Sequence, residues 1–326
     1  MEKKEIKSIG ILTSGGDAPG MNAAIRAVVR SAIFNGLRVF GIERGYTGLL
    51  NENIYEMNIR SVSSILQRGG TMLYTSRCPE FMKPEGVKKG AEVCRKYNLD
   101  ALVCIGGDGT YRGARDLSKY GIGIIGLPGT IDNDIACTDY TIGYDTAMNT
   151  AMEAIDKLRD TTQSHDRCSV VQVMGHKAGY LALNTGLACG AMAILVPEIP
   201  FDLQKDVIDR MHRTQLTGKR HFIVLNAEGC GNALDIAAYI QERFPDIETR
   251  ATILGYVQRG GSPSVRDRIT ATKMGVHAVD LLSQGITGRI VAERDGKITD
   301  VDIDEALAMK KTFDRETYDM ALKISI

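Results

Sequence analysis

The sequence lacks features that mark several classes of protein. Tryptophan is absent and aromatic residues make up only 6% of the chain, whereas glycine occurs 35 times. This composition favours tight strand-to-helix turns that approach a ligand over a groove of stacked aromatic rings. Forty basic and forty acidic residues cancel, so no global field favours nucleic acid or an anionic membrane. We expect neither partner, and any anion site must be local.

The cysteines and the hydrophobic segments do not match the patterns of disulfide-rich, zinc-binding or membrane-spanning proteins. The seven cysteines are scattered and never form C-x-x-C, which argues against a disulfide framework or a zinc site and favours a reducing compartment. The most apolar stretch, 181–196, is too short to span a bilayer and is interrupted by polar residues. The first residues, Met1–Glu5, resemble no signal peptide. We therefore expect a cytoplasmic protein.

Short apolar segments alternate with longer segments of helical periodicity. This pattern predicts parallel β-α-β units and a doubly wound α/β fold with parallel sheets flanked by helices. Ligands bind at the carboxyl ends of the strands in such sheets. The predicted strands are Ser8–Thr13, Arg38–Ile42, Ala101–Ile105, Ile122–Gly126, Ser169–Met174, Ala193–Val196 and Phe222–Asn226. The predicted helices are Pro19–Asn35, Pro84–Tyr97, Thr110–Tyr120, Asp145–Asp160, Gly179–Cys189, Asp202–Thr217, Leu234–Arg243 and Pro263–Leu282.

Two glycine loops suit phosphate groups. The loop 13–20, TSGGDAPG, leads directly into a helix; its glycines can point backbone N–H groups outward, and the helix N-terminus adds partial positive charge. A tight turn capped by Asp17 explains the same residues equally well. The loop 106–110, GGDGT, places Asp108 at another strand end. A carboxylate beside phosphates is suited to Mg²⁺, which prefers oxygen ligands.

A third loop, 126–134, carries Asp132 and Asp134 behind a Pro-Gly turn. We interpret these carboxylates as a general base and a metal or orienting partner rather than as a turn cap. Arg259 lies in a glycine turn before a helix, which suggests a bidentate anion contact. Other loop arginines, which solvation alone would explain, are Arg77, Arg159, Arg167 and Arg250.

Several familiar motifs are excluded. Gly121–Gly126 matches G-x-G-x-x-G, but it lies within a predicted strand and no helix follows, so a dinucleotide site is excluded. No G-x-x-x-x-G-K-[ST] occurs, and the five histidines show no metal-binding spacing. The chain is therefore neither a P-loop NTPase nor a histidine-based metalloenzyme.

Taken together, the loops resemble the ATP-dependent 6-phosphofructokinase family of the bacterial type. The matching segments follow the family's order over nearly the whole chain. They are Leu12–Ala24, Gln67–Thr71, Ile105–Thr110, Gly126–Asp134, Thr138–Gly143, Leu158–Thr161, Val171–Gly175 and Arg250–Pro263. The resemblance implies ATP-dependent phosphorylation of fructose 6-phosphate to fructose 1,6-bisphosphate in glycolysis.

The resemblance also implies an architecture and an assembly. It divides the chain into two similar α/β lobes, a nucleotide lobe at 1–142 plus 257–310 and a sugar-phosphate lobe at 143–256 plus 311–326. It implies a homotetramer, with Arg167 and Arg250 reaching into a neighbouring subunit's sugar-phosphate site. An effector site for ADP or phosphoenolpyruvate is expected between subunits, at Arg26, Arg30, Arg159, Lys219 and His221.

Site roles follow from the resemblance as well. Asp132 is expected to take the proton from the sugar's 1-hydroxyl, and Asp108 to bind Mg²⁺. The remaining catalytic residues are Thr130, Asp134 and Arg77, and ATP would contact Gly16, Arg77, Gly107, Asp108, Gly109 and Thr110. The sugar phosphate would contact Thr130, Ile131, Asp132, Met174, Gly175, His176, Glu228, Tyr256 and Arg259. Gly109 and Gly129 stand where pyrophosphate-using relatives carry Asp and Lys, which favours ATP as the donor.

Four positions depart from the family pattern. In the active site, His176 replaces an arginine and Tyr256 replaces a histidine. In the effector site, Ile59 replaces an arginine and Met192 replaces a glutamate. Arg60, one position from Ile59, could substitute for the missing arginine. Tyr256 favours an alternative acceptor, such as tagatose 6-phosphate or sedoheptulose 7-phosphate. His176 favours a weakly active regulatory paralogue. Against this alternative, Asp108, Asp132 and Asp134 are all intact.

Overall fold

A computed structural model describes residues 5–325. The strands are β1 (Ser8–Thr13), β2 (Arg38–Ile42), β3 (Ile54–Met57), β4 (Ala101–Gly106), β5 (Gly123–Pro128), β6 (Cys168–Val173), β7 (Ala193–Leu195), β8 (Phe222–Ala227), β9 (Thr249–Ile253), β10 (Arg289–Arg294) and β11 (Lys297–Asp302). The helices are α1 (Met21–Phe34), α2 (Gly45–Leu50), α3 (Pro84–Lys96), α4 (Asp108–Ser118), α5 (Tyr144–Ser164), α6 (Tyr180–Ala188), α7 (Asp209–Gln215), α8 (Ala233–Arg243), α9 (Val265–Ser283), α10 (Ile303–Ala308) and α11 (Arg315–Ile324). Mostly parallel strands flanked by helices confirm the predicted α/β class.

The described residues divide into two compact units. The first contains residues up to 130 together with 135–146 and 259–311, and the second contains 131–134, 147–258 and the residues from 312 onward. The chain therefore passes between the units several times. The short segment 131–134, which carries Asp132 and Asp134, groups with the second unit. The assignment of nucleotide and sugar-phosphate roles to two lobes stays a prediction.

The sheet of the first unit places three loops side by side. Its strand order is β11-β10-β5-β4-β1-β2-β3, and only the edge strands β3 and β11 pair antiparallel. The central strands β1 and β4 are buried along their whole length, as expected when helices cover both faces of a parallel sheet. Thr13 pairs with Ile105, and Ile105 pairs with Leu127. The carboxyl ends of β1, β4 and β5 are therefore aligned at one edge.

The second unit has a smaller, fully parallel sheet of order β7-β8-β6-β9. Its core contains Val170, Phe222 and Val224, all fully buried. Val173 pairs with Ala227 at the end of the β6–β8 ladder. The residues that follow these strands, from Met174 and from Glu228, therefore leave the sheet together.

The predicted elements are confirmed in place with shifted ends, and the structure adds others. The expected helix 202–217 begins as a π-helical turn, Gln204–Ile208, before α7. The prediction omitted β3, β9 and the β10–β11 hairpin, together with α2, α10 and α11. Within residues 5–325, no helix combines the length and apolar character needed to cross a bilayer.

Candidate active site

The two glycine loops of the first unit are hydrogen-bonded to each other at the carboxyl edge of its sheet. The Ser14 N–H donates to the Ile105 carbonyl at 3.0 Å, and the Thr110 hydroxyl donates to the Ser14 carbonyl at 3.0 Å. Thr110 is 4% exposed, so its hydroxyl joins the loops rather than facing solvent. The Thr110 N–H also donates within the loop, to the Gly107 carbonyl at 2.9 Å, and the predicted ATP contact at Thr110 stays a prediction.

Gly16 lies beneath the guanidinium group of Arg259. A Cβ atom at Gly16 would come within 2.8 Å of Arg259 Nη1, so a larger residue there would displace the end of the Arg259 side chain. Arg259 Nη1 also lies 4.0 Å from an oxygen of Asp17. The predicted sugar-phosphate arginine and the predicted nucleotide loop are thus neighbours within one unit.

Arg77 ends a segment that runs along the first loop. The Thr75 hydroxyl donates to the Gly15 carbonyl at 2.7 Å, and the Thr13 hydroxyl donates to the Tyr74 carbonyl at 2.7 Å. The Ser76 hydroxyl donates to the Arg44 carbonyl at 2.8 Å. These bonds hold an exposed Arg77 near the loop without constraining its side chain.

Asp108 begins α4, and Gly107 precedes it in an extended conformation. Its carboxylate is about half exposed and lies 3.7 Å from Arg112 one turn along the helix. Among residues 5–325, no cluster of three or more acidic, histidine or cysteine side chains could hold a metal alone. A single accessible carboxylate fits Mg²⁺, which is held in phosphoryl-transfer sites by one or two carboxylates together with substrate phosphates and water.

Tyr46 holds the second glycine loop, 106–110, through a hydrogen bond, and no sequence motif indicated this role. Its hydroxyl donates to the Thr110 carbonyl at 2.6 Å, and its ring stacks on Phe81 with centroids 4.0 Å apart. Tyr46 is 4% exposed, and burial raises the pKa of its hydroxyl well above the ordinary value. Tyr46 therefore remains a neutral donor that fixes the first turn of α4.

The third loop leaves β5 through a turn that residues 141–142 hold in place. The Ile142 N–H donates to the Pro128 carbonyl at 2.8 Å, and the Thr141 hydroxyl donates to the Thr130 carbonyl at 2.7 Å. A Cβ at Gly129 would lie 2.9 Å from Ile105 Cγ2. Packing inside the unit therefore gives Gly129 its own reason to be glycine, whereas a Cβ at Gly109 would meet nothing within 4 Å.

The carboxylates of the third loop group with the second unit. Ile131 is buried, Asp132 is half-buried and Asp134 is exposed. Asn133 has a φ of 49°, a left-handed conformation that asparagine adopts more readily than most residues. Burial, then Glu198 and Asp134, raises the pKa of Tyr180 to about 12. Asp134 therefore lies within electrostatic range of the start of α6.

A second group of predicted residues meets at the carboxyl edge of the second sheet. The His176 N–H donates to Glu228 Oε1 at 2.6 Å. This contact requires the turn at Gly175, whose φ is 141°, and at His176, whose φ is 54°. The His176 side chain itself is exposed. Met174, Gly175, His176 and Glu228 are thus brought together, and residue 176 contacts the carboxylate through its backbone.

Arg167 and Arg250 lie at the opposite end of the same sheet, where they share Glu248. Arg167 Nε donates to Glu248 Oε2 at 2.5 Å, and Arg250 Nε donates to Glu248 Oε1 at 2.7 Å. These two hydrogen bonds hold the pKa of Glu248 below its ordinary value, and the bond from Arg250 has the larger effect. Because β6 separates Arg167 from Met174 by seven residues, the two ends are roughly 20 Å apart along the strand. The two arginines do not meet Glu228 within one chain.

The predicted effector residues form one group within each unit. Arg26 and Arg30 lie one turn apart on α1. In the second unit, burial and the nearby charge of Arg159 lower the pKa of Lys219. Burial and the charges of Lys219 and Arg159 lower the pKa of His221. Arg159, Lys219 and His221 are therefore close together. Met192, at 1% exposure, packs in the core of its own unit, while Ile59 and Tyr256 are exposed.

Comparisons with known proteins agree over nearly the full chain. A family model described as Phosphofructokinase matches residues 8–282. ATP-dependent 6-phosphofructokinases from Clostridioides difficile and Clostridium botulinum are 55% and 54% identical, and each alignment covers 98% of this chain and 100% of the relative. A phosphofructokinase structure from Saccharomyces cerevisiae matches with a TM-score of 0.89 and 33% identity, over 97% of this chain and 50% of that chain.

A more distant structure shares the fold alone. A pyrophosphate-dependent phosphofructokinase from Marinobacter aquaeolei has a TM-score of 0.85 at 22% identity, over 98% of this chain and 92% of its own. Its donor is therefore no guide to the donor used by this chain.

Proposed function

This chain belongs to the phosphofructokinase family, and on that premise we propose that it transfers the γ-phosphoryl group of ATP to the 1-hydroxyl of fructose 6-phosphate in glycolysis. The observation that carries this proposal is the full-length identity of more than half with curated ATP-dependent 6-phosphofructokinases. The joined glycine loops at the ends of β1 and β4 support it, because backbone N–H groups and a helix N-terminus suit the phosphates of a nucleotide.

In this proposal ATP occupies the carboxyl edge of the first sheet. Its phosphates contact Gly16, Gly107, Gly109 and the Thr110 backbone. The exposed Arg77 side chain stabilises the negative charge that develops on the phosphates during transfer. Asp108 would hold Mg²⁺, which would neutralise charge on the phosphates. Tyr46 keeps the first turn of α4 in place beneath them. The open space around Gly109 supports a nucleotide as the donor.

Asp132 acts as the general base for the sugar's 1-hydroxyl, and Thr130 and Ile131 position that hydroxyl. Asp134 supports the metal or the base. Glu228 binds the sugar hydroxyls, and the bond from the His176 N–H sets its orientation, with Met174 and Gly175 forming the adjoining turn. Arg259 binds the 6-phosphate, and the exposed Tyr256 lies close to it in sequence. Little covalent chemistry is needed, because positioning and charge stabilisation provide most of the catalysis.

We further propose a cytoplasmic homotetramer with shared sugar-phosphate sites. The separation of Arg167 and Arg250 from Glu228 along β6 supports this assembly, because these arginines reach a sugar phosphate more readily from a second copy. Glu248 pairs with both arginines within one chain, and an incoming phosphate would replace it as their partner.

Effector binding is proposed at Arg26, Arg30, Arg159, Lys219 and His221. The cations retain capacity for phosphorylated anions. Met192 replaces the expected glutamate and is buried, so no carboxylate at this position discriminates between ligands. ADP with Mg²⁺ would then activate weakly, and phosphoenolpyruvate would have a shallow effect.

Product analysis tests the proposed reaction. Purified protein is incubated with ATP, Mg²⁺ and fructose 6-phosphate, and phosphorus NMR follows the products, with Asp132→Asn as the matched control. We expect fructose 1,6-bisphosphate and ADP in equal amounts from the wild type and almost none from the variant. Hydrolysis of ATP without a bisphosphate product, or equal product from both proteins, would contradict the proposal.

A further inference from the structure

The second unit contains a cavity whose lining residues have been given no role above. The cavity occupies about 450 Å³, a volume typical of small-molecule sites. The π-helical turn Gln204–Ile208 and helices α7 and α11 form its walls. Its lining residues are Lys205, Asp206, Arg210, Arg213, Thr214, Thr217, Leu322 and Ser325. On α7 the spacing 210, 213, 214 places three of them on one helical face, and Thr217 follows the end of that helix.

Three cations, Lys205, Arg210 and Arg213, line this cavity together with one carboxylate, that of Asp206. Within the described part of the chain, Lys205, Arg210 and Arg213 form no ion pair with any carboxylate. Two hydrogen bonds from Arg210 Nη2 hold its guanidinium, one to the Leu322 carbonyl at 3.2 Å and one to the Ser325 hydroxyl. Burial lowers the pKa of Arg210, Tyr318 and Asp206 oppose this lowering, and Arg213 adds to it. The two guanidinium groups therefore repel each other, and a bound anion would relieve the repulsion.

The only carboxylate among the lining residues is already engaged. Asp206 accepts the Asp202 N–H at 2.7 Å and so closes its own turn. The lining residues thus carry three positive charges against one negative charge. The π-helical turn is a second, independent feature, since single π-helical turns within α-helices are frequent at functional sites.

We propose that this cavity binds a small polyanion, a molecule with at least two phosphate or carboxylate groups, through Lys205, Arg210 and Arg213. Arg210 is the anchored contact, because its hydrogen bonds to α11 fix the guanidinium. Lys205 and Arg213 are exposed and close on the ligand from the rim. The site is independent of the proposed reaction, since none of its residues belongs to the nucleotide, sugar or effector groups.

Calorimetric titration of the full chain tests this site. Tripolyphosphate and citrate are titrated separately at constant ionic strength, with saturating fructose 6-phosphate and a non-hydrolysable ATP analogue to fill the active site. The variants are Arg213→Ala and Lys205→Ala, and the charge-matched control is Arg243→Ala on α8. Arg243 pairs with Glu242 in the same unit and does not line the cavity.

We expect one class of binding sites to weaken at least tenfold in both cavity variants and to stay within twofold in the control. Because Arg213 and Lys205 are exposed, both variants should retain the wild-type thermal midpoint and turnover. If the cavity variants lose affinity for tripolyphosphate alone, the ligand class is polyphosphates. If they lose affinity for both titrants, the class also includes polycarboxylates. The proposal would be overturned if both cavity variants bound the titrants as tightly as the wild type, or if Arg243→Ala lost as much affinity as they did.

Discussion

Replacing Gly175 by alanine should disrupt recognition of the sugar phosphate and spare the nucleotide. A Cβ at this position would lie 2.4 Å from the Ala178 carbonyl oxygen, a backbone atom that a rotamer change cannot move. The φ of 141° is also unfavourable for any residue with a side chain. The turn must therefore open, and it carries the His176 N–H away from Glu228.

The size of the effect follows from the contact that is lost. A hydrogen bond to a charged group contributes about 1.5–3 kcal/mol. Because Glu228 is only half-buried, the lower end applies, which corresponds to roughly tenfold in affinity. Backbone strain adds a global destabilisation on the order of 1–3 kcal/mol, which lowers the thermal midpoint but does not distinguish between substrates.

Steady-state kinetics separate these two effects. We expect Gly175→Ala to raise the KM for fructose 6-phosphate at least tenfold, with the KM for ATP within twofold of wild type. Gly218→Ala is the matched control, because its φ is 94° and a Cβ there meets nothing within 4 Å. It shares the backbone strain without the clash. Equal KM values for fructose 6-phosphate in Gly175→Ala and wild type would refute the proposed role of the turn.

Four further substitutions address separate parts of the account. Asp132→Asn should lower kcat at least about 100-fold with nucleotide binding intact, as expected on loss of a general base; turnover above a third of wild type would refute the assignment. Tyr46→Phe should raise the KM for ATP severalfold and leave that for the sugar phosphate unchanged; a reversed pattern would contradict its place beneath the second loop. Arg250→Ala should raise only the sugar-phosphate KM, and verified hybrids with Asp132→Asn subunits should regain activity if sites are shared; no recovery would argue against sharing. Glu248→Gln should lower the thermal midpoint at neutral pH. Because the folded-state pKa of Glu248 is depressed, the difference from wild type should shrink as the pH falls from about 4.3, the ordinary value, through the folded-state pKa; a difference that grows in acid would contradict the ion-pair account.

Local patterns were sufficient to predict the parts of the molecule closest to the chemistry. The glycine loops follow buried apolar strands, and the sheet register then aligns their ends. Asp108 at the start of α4 illustrates this, because its place follows from the strand before it and the helix after it. The β10–β11 hairpin was missed although its turn, Asp295-Gly296, has positive φ at both residues; an Asp-Gly pair between alternating strands is a recognised signal for such a turn.

Contacts between distant parts of the chain had no comparable signal. Tyr46 and Thr110 are 64 residues apart, and nothing near Tyr46 in the sequence indicates a phosphate loop. Glu248 is 81 residues from Arg167, so its position between two predicted arginines emerges only from the pairing of β6 with β9.

Two interpretations of single residues also change once their surroundings are known. Gly129 suggested space for a nucleotide, but Ile105 and Met21 fill the space beside it. His176, in place of an arginine, suggested a weakly active paralogue, whereas its backbone N–H donates to Glu228 and its side chain is exposed. In both cases packing or backbone geometry, which a residue's identity does not reveal, decides the role.

The central claim is that the chain phosphorylates fructose 6-phosphate with ATP, and a comparison of kcat/KM across donors and acceptors tests it most directly. A coupled assay would pair ATP or pyrophosphate with fructose 6-phosphate, tagatose 6-phosphate and sedoheptulose 7-phosphate. We predict the highest kcat/KM for ATP with fructose 6-phosphate and no useful turnover with pyrophosphate. A higher value for another acceptor, a comparable value for pyrophosphate, or no turnover with any pair would contradict the account.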